Sequence, residues 1–204
     1  MGKIFGLDSY FYKYGVILCD LIIITVLWCV CSLPIFTIGA STTAVYYVTT
    51  RQLSDREGYV SRDFFKSFKQ NFVQATLVTL LIGLVSAILF INIILFQPDT
   101  LIETIIVIIQ YVILYQLIIF TIYVFPLLSR FKFKFFELLK NAFFMANRHL
   151  LTTFTCLILL FAIYQLVLRY FILIFVAMGF YAILTSLMFM KVFRKYVPEM
   201  DKDV

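Results

Sequence analysis

The chain has 204 residues, of which 63% are hydrophobic and only 14% are charged. This composition is far more apolar than that of a water-soluble domain and excludes a soluble enzyme or binding module. The net charge of +6 does not indicate a nucleic-acid partner, because the basic residues are confined to a few loops. We therefore expect an all-α protein, a polytopic transmembrane helix bundle that forms one domain over residues 1–204.

The first apolar segment, residues 16–33, is long enough to cross a bilayer and contains one acid, Asp20. Pro34 ends this segment, and a shorter uncharged run follows over residues 35–50. A turn at residues 34–40 would give two spans here and six in all, whereas one kinked span would give five. We favour six, with the second span wrapped by protein because its many hydroxyl side chains would be costly against lipid.

Four uncharged segments follow, each long enough to cross the bilayer as a helix: residues 72–96, 104–128, 150–168 and 170–190. A hydrocarbon core of about 30 Å requires roughly 20 apolar residues. Lys and Arg concentrate in the loops 51–70 and 129–148 and after the last span, while the opposite turns are nearly bare. The positive-inside rule therefore places both loops and the C-terminus in the cytoplasm, and six spans place the N-terminus there as well.

The first cytoplasmic loop carries aromatic residues at helical spacing, with basic residues on another face. The aromatic residues are Phe64, Phe65, Phe68 and Phe72, and the basic ones are Arg62, Lys66 and Lys69. This pattern predicts an amphipathic helix whose rings enter the acyl boundary while its cations meet anionic headgroups. The same face could dock a cytoplasmic partner, and the pattern does not separate the two roles.

The second cytoplasmic loop resembles the first. Phe135, Phe136, Lys140, Phe143 and Ala146 each follow Phe64, Phe65, Lys69, Phe72 and Ala75 by 71 residues. The match predicts a second amphipathic helix and indicates an internal repeat of residues 64–75 at 135–146, although Phe and Lys are frequent enough here for chance matches. The predicted partner or membrane-surface contacts are Phe64, Phe65, Phe68, Lys69, Phe72, Phe136, Lys140 and Phe143.

Signatures of catalysis are absent from the sequence: it has no glycine-rich phosphate loop, no HExxH and no nucleophile elbow. The four cysteines lie in predicted spans and there is one histidine, so we expect no enzyme activity, no metal and no cofactor. Asp20 is the exception. A carboxylate within a span indicates proton or solute coupling, or else a structural bond to a group such as Lys13 or Arg51.

The N-terminal half also carries distinctive motifs. They are Leu27-Trp28, Cys31-Ser32-Leu33-Pro34, Thr37-Ile38-Gly39-Ala40-Ser41-Thr42-Thr43-Ala44, Glu57-Gly58-Tyr59 and Phe64-Phe65-Lys66-Ser67-Phe68-Lys69. In these motifs the chain resembles the YesL family of bacterial membrane proteins. The resemblance implies a multi-pass protein of the bacterial plasma membrane with no agreed catalytic residues, from a family often encoded beside carbohydrate uptake systems.

Two hypotheses of function follow. In the first, the chain is a non-catalytic accessory or regulatory partner of a carbohydrate transporter subunit, with residues 62–72 and 132–143 as its contact surface. In the second, it is a permease for a sugar or other small solute. The residues that would line the path are Asp20, Pro34, Thr37, Gly39, Ser41 and Thr42. The sequence favours the first, because transporters usually carry several inward polar residues near the midplane.

Overall fold

The computed structural model describes residues 10–53, 59–95 and 100–196, with only the backbone given for residues 10–14. The described part is a bundle of seven α-helices, which confirms the predicted all-α fold class. They are α1 (Tyr10–Cys31), α2 (Ile38–Leu53), α3 (Val60–Leu95), α4 (Leu101–Arg130), α5 (Phe135–Arg148), α6 (Leu150–Arg169) and α7 (Ile174–Phe193). The predicted span end at Phe96, the motif Glu57-Gly58 and the side chain of Lys13 lie outside this description.

Four helical segments are long and apolar enough to cross a membrane. They are Val60–Leu95, Leu101–Arg130, Leu150–Arg169 and Phe171–Phe193, and they contain the four segments predicted from hydropathy except for the end residues Phe96 and Tyr170. Within α1, Gly15–Cys31 forms a shorter apolar helix. The membrane-helix bundle is therefore confirmed, while the number of spans and the sidedness of the loops stay predictions.

The segment from α1 to α2 is a helical hairpin. The indole Nε1 of Trp28 donates to Thr42 Oγ1 at 3.1 Å, and Gln52 Nε2 donates to Asp20 Oδ2 at 2.9 Å. Each bond joins two positions that lie almost equally far before and after residue 35. The second helix therefore runs back antiparallel to the first, which is incompatible with one kinked helix through this region.

The hairpin turn has a local cause in sequence. Pro34 starts a short 3-10 turn, Ile35–Thr37, because its ring prevents α1 from continuing. The hydroxyl of Thr37 donates to the carbonyl of Cys31 at 2.6 Å, and its backbone N–H donates to the carbonyl of Pro34 at 2.8 Å. These bonds pair backbone groups at the turn that would otherwise be left without partners.

Helix α2 lies at the centre of the bundle and packs against α1, α3, α4 and α7. Nine of its 16 residues are buried. Its buried hydroxyls donate back to carbonyls one turn earlier: Ser41 to Thr37 at 3.1 Å, Thr43 to Gly39 at 2.8 Å and Thr49 to Val45 at 3.0 Å. The prediction that protein wraps this helix is confirmed.

The two amphipathic segments differ in structure. The first forms the opening turns of α3, which runs unbroken for 36 residues because neither Pro nor Gly occurs before Gly83. At 1.5 Å per residue it is about 54 Å long, well beyond the roughly 30 Å of hydrocarbon. The second segment forms the separate helix α5, because His149 leaves the helical region with φ −114° and ψ 53°. The first segment is thus not a separate surface helix.

We expect Gly39→Ala to lower the free energy of unfolding by about 1–3 kcal/mol, because overpacking a tight contact has this cost. A Cβ at Gly39 would overlap Thr79 Oγ1 and the ring of Phe125, so α2 could no longer approach α3 and α4. Thermal unfolding in detergent, followed by the fluorescence of the one tryptophan, Trp28, measures the effect.

Gly83→Ala is the matched control, because a Cβ there meets nothing within 4 Å. It should leave the melting temperature unchanged or slightly higher, since alanine favours a helix over glycine. Equal melting temperatures for the two variants would contradict the close packing of α2.

Candidate functional site

The six interior residues singled out from the sequence do not form one site. Pro34 is exposed in the hairpin turn, and Gly39 is packed between helices. Thr37 and Ser41 are buried and donate to backbone carbonyls. Only Thr42 borders a cavity.

Asp20 is partly buried, and its Oδ2 accepts a hydrogen bond from Gln52. Arg51, one of the two partners considered for it, instead forms an ion pair with Asp63 at the start of α3. The carboxylate of Asp63 is largely buried, so this pair ties α2 to α3 where the two helices meet. Asp20 thus holds the hairpin together, through an amide partner rather than an arginine.

A cleft of about 310 Å³ lies between α2, α4, α6 and α7. Its apolar wall consists of Ile38, Ile118, Ile122, Phe125, Leu157, Leu160 and Met178, and its hydroxyl groups come from Thr42, Tyr46, Thr121 and Tyr181. None of the described residues that line it is charged. A mostly apolar cavity with a few polar groups, between the helices of a bundle, is typical of a small-molecule site.

The cleft deepens from an exposed rim to a buried floor. Ile118 and Leu160 on the rim are 48% and 49% exposed, whereas Tyr46, Phe125 and Tyr181 on the floor are below 10%. Helices α4 and α6 contact each other only slightly, which leaves the opening between them. Because both helices are long and apolar enough to cross a membrane, we expect the opening to face hydrocarbon.

A layer of hydroxyl groups lies behind the floor. Tyr46 Oη and Thr185 Oγ1 are 3.2 Å apart, and Thr49 Oγ1 and Ser186 Oγ are 2.9 Å apart. Both pairs join α2 to α7 and are buried, so they satisfy each other rather than a ligand. Sequence reasoning missed Tyr46, Tyr181 and this layer. The adjacent hydroxyls of Thr185 and Ser186 in an otherwise apolar helix were the available signal.

The predicted surface residues divide between the core and the exterior. Phe64 has no exposed surface and stacks with Phe68, so it is a core residue and not a surface contact. Phe65 and Lys69 are exposed, while Phe72 is half-buried against Phe68. At the start of α3, aromatic rings on one side of the helix therefore pack against the bundle, while basic side chains lie on the exposed side.

Helix α5 presents the clearer surface. Its inner face, with Leu138, Ala142, Met145 and Ala146, is buried. Its outer face exposes Lys140 with three aromatic rings: Phe136 at 82%, Phe143 at 47% and Phe144 at 60%. These positions recur every three or four residues and so form one continuous stripe, the α5 outer face. The sequence analysis named all of them except Phe144.

His149 links α4 and the residues after α7 to the junction of α5 and α6. Its Nε2 lies 2.8 Å from Tyr196 Oη, and its backbone carbonyl accepts from Tyr123 Oη at 3.1 Å. The guanidinium of Arg148 lies over the ring of Tyr196. Burial, followed by the charges of Lys195 and Arg148, lowers the pKa of His149 below its ordinary value of 6.5.

The lowered pKa of His149 determines how the stability of the fold changes with pH. Because the folded state binds the proton more weakly, the unfolded state holds more protons between the folded pKa and 6.5, and stability rises with pH in that window. We expect the wild type to lose stability as the pH falls below 6.5, and His149→Gln to lack that part of the loss. Melting temperatures of both proteins between about pH 7.5 and 5.5 measure the difference. Parallel curves would contradict the assignment.

The described residues contain no group of three or more His, Cys, Asp or Glu that could hold a metal ion. The described side chains form two features that could bind another molecule. The cleft can bind an apolar molecule, and the α5 outer face can bind a partner or a membrane surface.

Comparison with known proteins gives one match. Residues 21–93 match a family model described as "Protein of unknown function, DUF624". The matched stretch is little more than a third of the chain, and it includes the second half of α1, all of α2 and most of α3. No curated protein and no solved structure matches the chain. The match thus coincides with the α1–α2 hairpin and the helix that covers it.

Proposed function

We propose that this protein is a non-catalytic accessory or regulatory partner of an uptake system in the bacterial plasma membrane, and that it contacts that system through the α5 outer face. The observation that carries the proposal is the exposure of three phenylalanine rings around Lys140 on a helix whose opposite face is already packed. Aromatic residues, phenylalanine among them, are enriched at protein–protein interfaces relative to the rest of a protein surface.

The interior supports a partner over a permease. Several interior polar residues use their hydrogen bonds to join helices: Asp20 with Gln52, Trp28 with Thr42 and Thr49 with Ser186. A solute path needs polar groups that are free to replace the solute's water. These three pairs instead stabilise helix contacts.

The cleft gives a second argument against a sugar permease. A sugar carries several hydroxyl groups, and each would lose its hydrogen bonds with water at a cost of about 1–3 kcal/mol if left unpaired. The lining of the cleft offers four hydroxyl groups, three of which, Thr42, Tyr46 and Thr121, already pair within the protein. The cleft therefore suits an apolar ligand.

The carbohydrate class of the uptake system rests on the resemblance to the YesL family alone. The motifs that carry it, from Leu27-Trp28 to Phe64-Phe65, fall within the matched residues 21–93. With the positive-inside rule, the proposal places loops 51–70 and 129–148 in the cytoplasm, where the α5 outer face would meet a transporter subunit.

Site-specific photocrosslinking in native membranes tests the contact. We expect a benzophenone amino acid at Phe143 or Phe136 to crosslink to a transporter subunit that mass spectrometry identifies. The double substitution Lys140→Ala with Phe144→Ala should lower the yield at Phe136, because truncating central interface residues weakens binding most.

Phe161 is the matched control position, since it is 62% exposed but lies in the apolar helix α6. A probe there should reach lipid and not the subunit. Crosslinks from Phe143 to lipid alone would show that the α5 outer face anchors the protein to the membrane, and the same subunit captured from both positions would show that the contact is nonspecific.

Substitutions at Asp20 distinguish an accessory protein from a permease. Asp20→Asn keeps an oxygen that can accept from Gln52, so an accessory protein should retain uptake activity and normal stability in this variant. Asp20→Leu removes the acceptor and should lower stability by about 0.6 kcal/mol, the mean for hydrogen bonds between membrane helices. Uptake by cells carrying each variant, at matched expression, gives the answer. Loss of uptake in Asp20→Asn with normal melting would favour a permease.

A further inference from the structure

We propose that the cleft between α2, α4, α6 and α7 binds one acyl chain of a membrane lipid, with the ester carbonyl of that chain at Thr42. The proposal is independent of the partner role proposed above, because the cleft lies inside the bundle and the α5 outer face lies outside it. It assigns a ligand class to a cavity that the accessory function does not use.

The opening of the cleft determines what can enter. The exposed rim residues Ile118 and Leu160 belong to helices that are long and apolar enough to cross a membrane. A molecule that enters between them therefore comes from the hydrocarbon of the bilayer. Lipid chains are the molecules that fill that region, and the volume of about 310 Å³ lies at the lower end of the range for small-molecule pockets.

The apolar wall favours a chain over water or an empty space. Water in a protein cavity needs two to four polar partners, and the wall formed by Ile122, Leu157 and Met178 offers none. An empty cleft would forfeit the dispersion contacts that its lining atoms could make. A methylene chain restores those contacts, and the flexible side chain of Met178 can adapt to it.

Thr42 provides one polar anchor at the hairpin end of the cleft. Its oxygen accepts from Trp28 Nε1 at 3.1 Å, which leaves its own hydrogen available to donate. Two of the other hydroxyls are engaged, since Thr121 donates to the carbonyl of Leu117 and Tyr46 pairs with Thr185. An ester carbonyl is an acceptor without a donor, and so it matches the one hydrogen that Thr42 can offer.

The depth of Thr42 fits this anchor. Thr42 lies four residues after the start of α2 at Ile38, about 6 Å along the helix axis. A lipid carries its ester groups near the polar boundary and its chain towards the midplane. A carbonyl at Thr42 would therefore direct the chain along α2 towards Tyr46 and Tyr181 on the floor.

The first test uses the purified protein in phosphatidylcholine vesicles that contain a phosphatidylcholine with a photoactivatable diazirine in its acyl chain. We expect crosslinks on Tyr46 or Tyr181, which are below 10% exposed and beyond the reach of lipid on the outer surface. Thr121→Trp fills the cleft and should abolish these interior crosslinks while leaving those on exposed residues such as Phe161 intact.

Thr155→Trp is the matched control. Thr155, like Thr121, donates to the carbonyl one turn earlier, but it is exposed on α6 and does not line the cleft. Interior labelling should persist in this variant. Equal interior labelling of the two variants, or crosslinks confined to exposed residues, would each overturn the proposal.

The second test does not require filling the cleft. Ester-linked and ether-linked diazirine lipids differ in the carbonyl, and we expect the wild type to label about threefold more strongly with the ester, the factor that one hydrogen bond between membrane helices supplies on average. Thr42→Val should remove this preference and Thr42→Ser should restore it. Equal labelling by both lipids in the wild type would overturn the role of Thr42.

Discussion

The structure depends on the burial of one polar helix. Helix α2 carries hydroxyls and small residues along most of its length, and it would be costly to expose to lipid. The bundle solves this by surrounding it with α1, α3, α4 and α7. Ser41 and Thr43 then satisfy their hydroxyls against the carbonyls of the same helix, while Thr49 also pairs with Ser186 of α7. The longer, more apolar helices can face the membrane.

Close packing around α2 also defines the cleft. Gly39 lets α3 and α4 approach near the hairpin end, and Gly179 lets α1 approach α7. Helix α4 packs against α2 and α5, whereas α6 packs against α7, so α4 and α6 make few contacts with each other. The gap between them is the opening. Close packing at Gly39 and Gly179 is thus accompanied by a lateral cavity between α4 and α6.

The division of polar groups between interior and surface bears on function. Inside the described bundle, Asp20, Trp28, Tyr46 and Thr49 hold helices together. Outside it, the α5 outer face keeps aromatic and basic groups unpacked. Under the proposed function, the packed interior positions the helices and the α5 outer face makes the contact with the partner.

The sequence by itself determined the membrane class, the four long apolar helices and the two amphipathic segments, because hydropathy and helical periodicity are local properties of the chain. It also indicated that residues 35–50 would be wrapped by protein, since the cost of hydroxyls in lipid can be read without coordinates. Only the tertiary structure decided that Phe64 is a core residue, that Gln52 is the partner of Asp20 and that Thr42 borders a cleft. These features depend on which helices meet. Contacts between residues far apart in the sequence, such as Tyr46 with Thr185, are set by tertiary packing, and a local sequence pattern does not reveal them.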